Sequence, residues 1–209
     1  MRLLQIGFVS ATLCAAAEPR LNPLLKSVET RYNSAQSLKL DFVETYTAPR
    51  RPQQVESGVL TLRKPGRMRW DYTKPAGKVF VSDGKRVSLY DPETNQVEVS
   101  GLKETEDMRA PLAFLLGKLN FYKEFRSFQL RTDGDGTWIL AEPNSDTLPY
   151  SRVEFLVAPD AHIRRIKVFG ADRSVLDFQF AQERLNVAVD SKFFDYRAPV
   201  TAQILEGDK

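Results

Sequence analysis

The sequence predicts a mainly β (α+β) domain: one antiparallel sheet of about 10–11 short strands, curled toward a barrel and capped by amphipathic helices. Three observations carry this. Apolar and polar side chains alternate at period two over most of the chain. Turn-forming pairs such as Asp83-Gly84 and Asp91-Pro92 punctuate the alternation. The period lengthens to that of a helix near residues 22–34 and again within 108–119. Helical stripes of this kind are most economically buried across the concave face or mouth of the sheet.

The chain opens on MRLLQIGFVSATLCAAAEPR. A positive charge at Arg2, an apolar run from Leu3 to Leu13 and the small residues Ala15-Ala16-Ala17 have the layout of a secretory signal peptide cleaved near Ala17. The run is shorter than the ~20 residues that a membrane-spanning helix needs. Leu13 stands where a lipid-attachment site has a small residue, which argues against acylation of Cys14. Cleavage would remove that sole cysteine and Arg2, leaving no thiol and taking the net charge from +3 to +2. One domain over 18–205 is expected next, then a frayed tail at 206–209, with no linker or repeat between.

Asn22-Pro23 reads as a helix N-cap followed by proline, and Leu21, Leu24, Leu25, Val28 and Tyr32 then recur at helical spacing. Alternation takes over at Leu38, Leu40 and Phe42, at Leu60 and Leu62, and at Met68, Trp70 and Tyr72. Further strands are predicted at 78–82, 86–90 and 95–99. In the second helix Leu112, Leu115, Leu116 and Leu119 form a stripe, with Pro111 near the start and Phe114 off the line. Strands resume near 123–131, 137–142, 150–157, 163–169 and 174–184, and a short element near 192–197 closes the domain.

Chemistry is sparse. Without a retained cysteine, and with His162 the only histidine, a zinc site or a thiol- or histidine-dependent nucleophile has few residues to draw on. In Asp133-Gly134-Asp135-Gly136 the calcium-loop alignment puts Arg131 on the first ligand position, so a tight turn is the better reading. Ser82-Asp83-Gly84 lacks the glycines of a nucleophile elbow. No carboxylate sits in an acid–base motif and no glycine-rich phosphate loop is present, so neither catalysis nor a cofactor is expected.

The run RKPGRMRWDY at 63–72 suits nucleic acid by composition, with cations for phosphates and aromatics for bases. Alternation divides those roles between two faces, however. Met68, Trp70 and Tyr72 point one way, Arg67 and Arg69 the other, toward water. With 30 basic and 27 acidic residues intermixed, a polyanion-binding field is not expected either. The large aromatics on one strand face, and the surplus apolar residues of the second helix, suggest a container with an apolar lid.

The run LRKPGRMRWDYTKP, followed by VFVSDGKRVSLYDPETNQVEV, resembles the LolA family of periplasmic outer-membrane lipoprotein carriers. Lys64-Pro65, Arg69-Trp70, Tyr72, Pro75, Val81 to Lys85, Tyr90 to Pro92 and Gln96-Val97 carry the resemblance in order and spacing. It continues through Pro111–Leu116 and, more loosely, through Asn186 and Phe194 to Pro199. The resemblance implies an incomplete antiparallel β-barrel over an apolar cavity that holds lipoprotein acyl chains. It implies partners as well: a lipoprotein as cargo, an inner-membrane ABC-transporter complex that releases it and an outer-membrane receptor that accepts it. A monomer is expected.

On that reading the cavity walls are Leu60, Leu62, Met68, Trp70, Tyr72, Phe80, Phe155, Phe169, Phe178 and Phe180, and the lid is Leu112, Phe114, Leu115 and Leu116. Pattern alone leaves open which of them point inward. Two departures from the family matter. A latch arginine that bonds lid-helix carbonyls is replaced by Lys64, which keeps the charge but not the planar fork, while the adjacent Arg63 should point to the other face. Val200, not glycine, follows Pro199. Two other readings are a half-barrel that binds another lipid or senses mislocalised lipoproteins, and a secreted hydrolase.

Overall fold

The computed structural model describes residues 18–101 and 119–206. The segment 1–17, expected to be a signal peptide, the expected lid residues Leu112, Phe114, Leu115 and Leu116, and residues 207–209 lie outside the described residues.

Helix α1 (Glu18–Ser34) leads into β1 (Ser37–Thr47), β2 (Gln54–Arg63), β3 (Arg67–Lys74), β4 (Val79–Asp83), β5 (Arg86–Asp91) and β6 (Gln96–Gly101). A helical turn at Phe121–Glu124 precedes β7 (Phe125–Asp133), β8 (Gly136–Pro143), β9 (Tyr150–Val157), β10 (Ile163–Gly170) and β11 (Val175–Leu185). A 3-10 turn at Ser191–Phe194 and strand β12 (Gln203–Glu206) complete the described chain. The strands form one sheet in the order β12-β6-β5-β4-β3-β2-β1-β11-β10-β9-β8-β7. Every pairing is antiparallel except β12 on β6, and the two edges do not meet, so the sheet is open.

Three details differ from the sequence reading. Pro23 lies inside α1 rather than at its first position, and the Asn22 carboxamide oxygen accepts from Tyr122 Oη instead of capping the helix. Glu206, expected in the frayed tail, pairs with Val99 as the last residue of β12. Arg69 is on the outer face but only partly open to water: it bonds Asp71 at 2.9 Å and the Phe193 carbonyl at 3.2 Å. The segment after β11 crosses the outer face there as a strap. Asn186 N–H donates to Ser37 O (2.8 Å), Arg63 to Val189 O (2.8 Å) and Asn95 Nδ2 to Thr201 O (2.8 Å).

Register places the core. Leu40, Leu60, Trp70, Phe80 and Leu89 form one cross-strand row from β1 to β5, and Leu38, Leu62, Met68, Ser82 and Val87 form the next. A third row runs Phe42, Gly58, Tyr72. Gly58 admits no side chain, because a Cβ there would lie 2.1 Å from Asp71 O. The row is therefore hollow in the middle, and Phe42 and Tyr72 meet across it edge to face at 5.2 Å. On the other limb Phe178, Ile166, Phe155 and Ile139 align from β11 to β8. Helix α1 lays Leu25, Val28 and Tyr32 against this same inner cluster, as its apolar stripe requires.

Candidate functional site

The inner face is the candidate site. Leu60, Leu62, Met68, Trp70, Tyr72, Phe80, Phe155 and Phe178 are all buried in one apolar cluster, and Phe180 packs against it partly buried. Phe169 is not on this face. On β10 it follows the inward Val168, so it turns outward, where the Arg152 guanidinium lies 3.9 Å from its ring centre. A bulge between Ile163 and Arg165 sends both Ile163 and Ile166 inward, which resets the alternation before Phe169.

Aromatic rings dominate the centre. Phe42 meets Trp70 at 4.7 Å and 73°, Trp70 meets Phe178 at 5.5 Å, and Phe178 stacks on Phe180 at 6.1 Å and 13°. Phe121 and Phe125 enclose Phe155 edge to face at 5.5 and 5.6 Å. Phe42 and Phe121 were absent from the expected wall. Phe42 had a signal in the Leu38–Leu40–Phe42 alternation, whereas Phe121 sits on a single helical turn, too short for any periodicity. The Nε1 of Trp70 is buried with no hydrogen-bond acceptor among the described residues. In contrast, Ser82 donates to Gly66 O at 3.1 Å and accepts from Gly84 N–H at 3.1 Å, joining two neighbouring turns.

At one end of the face, Lys64 reaches α1. Its Nζ donates to the carbonyls of Tyr32 (2.8 Å) and Asn33 (3.0 Å), groups that the end of a helix leaves without partners of its own. Burial lowers the Lys64 pKa. Arg63 points away and bonds the strap. Across the sheet, Tyr32 Oη donates to Glu183 (2.7 Å) and accepts from Ile163 N–H (2.8 Å), while Arg31 also bonds Glu183 at 2.7 Å. Burial, reinforced by the Glu183 charge, holds the Tyr32 phenol far above its ordinary pKa. Asn33 adds a two-point bond to Leu119, donating to its carbonyl (2.8 Å) and accepting from its N–H (2.6 Å).

The space beside Lys64, bounded by Tyr32, Leu38 and Leu62, is about 10 Å³, sized for a water molecule rather than an acyl chain. An open groove of about 720 Å³ beside α1 mixes the polar side chains of Lys26, Ser27, Thr30, Arg31 and Asp160 with Pro23, Pro159, Ala161 and Leu185, and more of its surface is apolar than polar.

The other motifs resolve into structure. Gly134 and Asp135 make a two-residue hairpin turn, with Gly134 at φ 58°. Asp133 accepts from Trp138 Nε1 at 2.8 Å, and Asp135 takes a bidentate bond from Arg164 at 2.7 and 2.9 Å. His162 bonds Asp160 within its own turn. Among the described residues no three His, Cys, Asp or Glu side chains are grouped to hold a metal.

Residues 33–197 match the family described as outer membrane lipoprotein carrier protein LolA. The outer-membrane lipoprotein carrier protein of Chromobacterium violaceum is 26% identical over 208 residues, covering 99% of this chain and 97% of its own length. That of Methylobacillus flagellatus is also 26% identical over 208 residues, covering 98% and 99%. An uncharacterized conserved protein from Thermus thermophilus, 15% identical, superimposes with a TM-score of 0.54 over 90% of this chain and 99% of its own, a likeness of fold.

Proposed function

The chain belongs to the outer membrane lipoprotein carrier family, LolA, and from this we propose that its inner face shelters lipoprotein acyl chains during passage from the inner to the outer membrane. One observation carries the reading: the inner face is a continuous apolar surface, from Leu38 on β1 through Trp70 to Leu89 on β5 and back across Phe178 to Ile139. Bringing an acyl chain into water costs about 0.8 kcal/mol per methylene, so a chain of ordinary length cannot cross an aqueous gap unshielded. A carrier needs an apolar, adaptable surface and a cover that lets go, and no catalytic group. Unbranched methionine, here Met68, adapts to flexible hydrocarbon more readily than branched aliphatics do.

In this reading α1 is part of the cover, and Lys64 holds it by two backbone carbonyls. The cargo comes from an ABC-transporter release complex in the inner membrane and goes to a receptor in the outer membrane, with the carrier acting as a monomer in the periplasm. The test is displacement of an apolar fluorescent probe by an acylated lipopeptide but not by its deacylated form. Displacement by both peptides, or by neither, rejects the reading.

A further inference from the structure

We propose that the indole N–H of Trp70 donates a hydrogen bond to an ester carbonyl of a diacylglyceryl group lying on the inner face. The inference rests on the acyl-chain reading above and assigns that face a polar contact, and so a depth at which the hydrocarbon begins.

Trp70 is 0% exposed, and its Nε1 has no acceptor among the described residues. Its surroundings explain why. Its cross-strand neighbours are Leu60 and Phe80, and its nearest aromatic rings are Phe42 and Phe178. None carries a side-chain oxygen or nitrogen. The Phe42 ring, 4.7 Å away centre to centre, offers at most a π face, a far weaker acceptor than a carbonyl oxygen. A buried donor without an acceptor is unfavourable, and phenylalanine would fill an aromatic site without that penalty. The other tryptophan follows the usual rule: Trp138, on the outer face, donates to Asp133 at 2.8 Å. An orphan donor in the middle of an apolar row therefore marks where a ligand supplies the acceptor.

Hydrocarbon cannot do so, but the ester carbonyls at the head of each O-acyl chain can. A carbonyl at Trp70 places the start of the chains level with the Leu60–Trp70–Phe80 row. It also gives the face a preference that shape alone lacks, for ester-linked acyl groups over ether-linked alkyl groups of equal length.

The test uses the mature full-length chain and two probes, a peptide with an S-(dipalmitoylglyceryl) cysteine and its dihexadecyl ether analogue. The sequence has two tryptophans, so indole 15N labelling gives two N–H signals, and Trp138 serves as the internal reference. The ester peptide is expected to move the Trp70 indole proton downfield and leave Trp138 in place, while the ether analogue binds without that shift. Trp70→Phe should erase a preference of about 5–10-fold for the ester peptide over the ether analogue, read as the ratio of the two affinities, whatever the variant does to both together. If Trp70→Phe does not fold, the shift on the unaltered chain decides alone. Equal shifts with both probes, or equal loss of both affinities, overturn the ester contact while sparing the carrier reading. Failure of both probes to bind overturns the two together.

Discussion

The Lys64 ammonium stands 2.8 Å from the carbonyl of Tyr32 and 3.0 Å from that of Asn33, so one turn of the sheet holds the C-terminal end of α1. Lys64→Leu removes both bonds and leaves two helix-end carbonyls without them. The expected cost is about 1 kcal/mol after allowing for partial exposure, seen as a lower urea midpoint. Transfer of acylated peptide to an acceptor should change through loading or release, and Lys64→Arg should restore it. Unchanged transfer in Lys64→Leu would make Lys64 an ordinary surface charge.

Tyr32 links α1 to β11 and β10 through Glu183 and Ile163 N–H. Its phenol pKa is raised in the folded state, so the folded chain keeps a proton that an unfolded tyrosine loses near pH 10. The stabilisation is therefore complete below about pH 10 and is lost as pH rises beyond it. Tyr32→Phe should cost about 1–3 kcal/mol at neutral pH and flatten the alkaline fall in stability. Urea unfolding at a series of alkaline pH values measures both.

Gly58→Ala tests the hollow row. The new methyl would lie 2.1 Å from Asp71 O and 2.8 Å from Tyr72 Cα, both backbone atoms that cannot swing aside. Strands β2 and β3 would have to part, with an expected loss of about 1–3 kcal/mol or more. Thermal unfolding gives the value, and a loss below about 0.5 kcal/mol would mean that the bulge beside Ser57 absorbs the methyl.

Phe178 and Phe169 lie on neighbouring strands and opposite faces. Phe178→Ala should cost about 3–5 kcal/mol and weaken an apolar probe, because it opens the centre of the aromatic cluster. Phe169→Ala removes an outer ring that stacks under Arg152, and probe affinity should not change. Equal weakening in the two variants would mean that the probe is not on the inner face.

Local pattern made much of this legible and hid the rest for physical reasons. Alternation at 38–42, 60–62 and 68–72 is undisturbed, so spacing alone groups those residues on one face, and the packing then shows that this face is the inner one. Phe169 was not, because Val168-Phe169 are adjacent apolar residues and the bulge at Ile163/Arg165 decides which turns inward. Arg69 carries the sign of a solvent residue, but its partner Phe193 is supplied by a strap 124 residues away. Strand β12 is four residues long without alternation, and it exists because β6 offers it an edge. The Lys64 bonds go to backbone carbonyls, which have no sequence identity to read.

The parallel pairing of β12 with β6 also bears on how the sheet is assembled and protected. The β7 edge is blunted locally by a bulge between Arg126 and Gln129 and by the outward charges of Arg126 and Arg131. The β6 edge carries one outward charge, Glu98, and among the described residues it is paired by residues from the far end of the chain, Gln203 meeting Gln96 and Glu206 meeting Val99. In a chain that emerges N-terminus first, β6 must wait for more than 100 further residues before its edge is covered, a late and non-local closure. Until then β6 lacks that pairing, so the last strand doubles as a safeguard against edge-to-edge association.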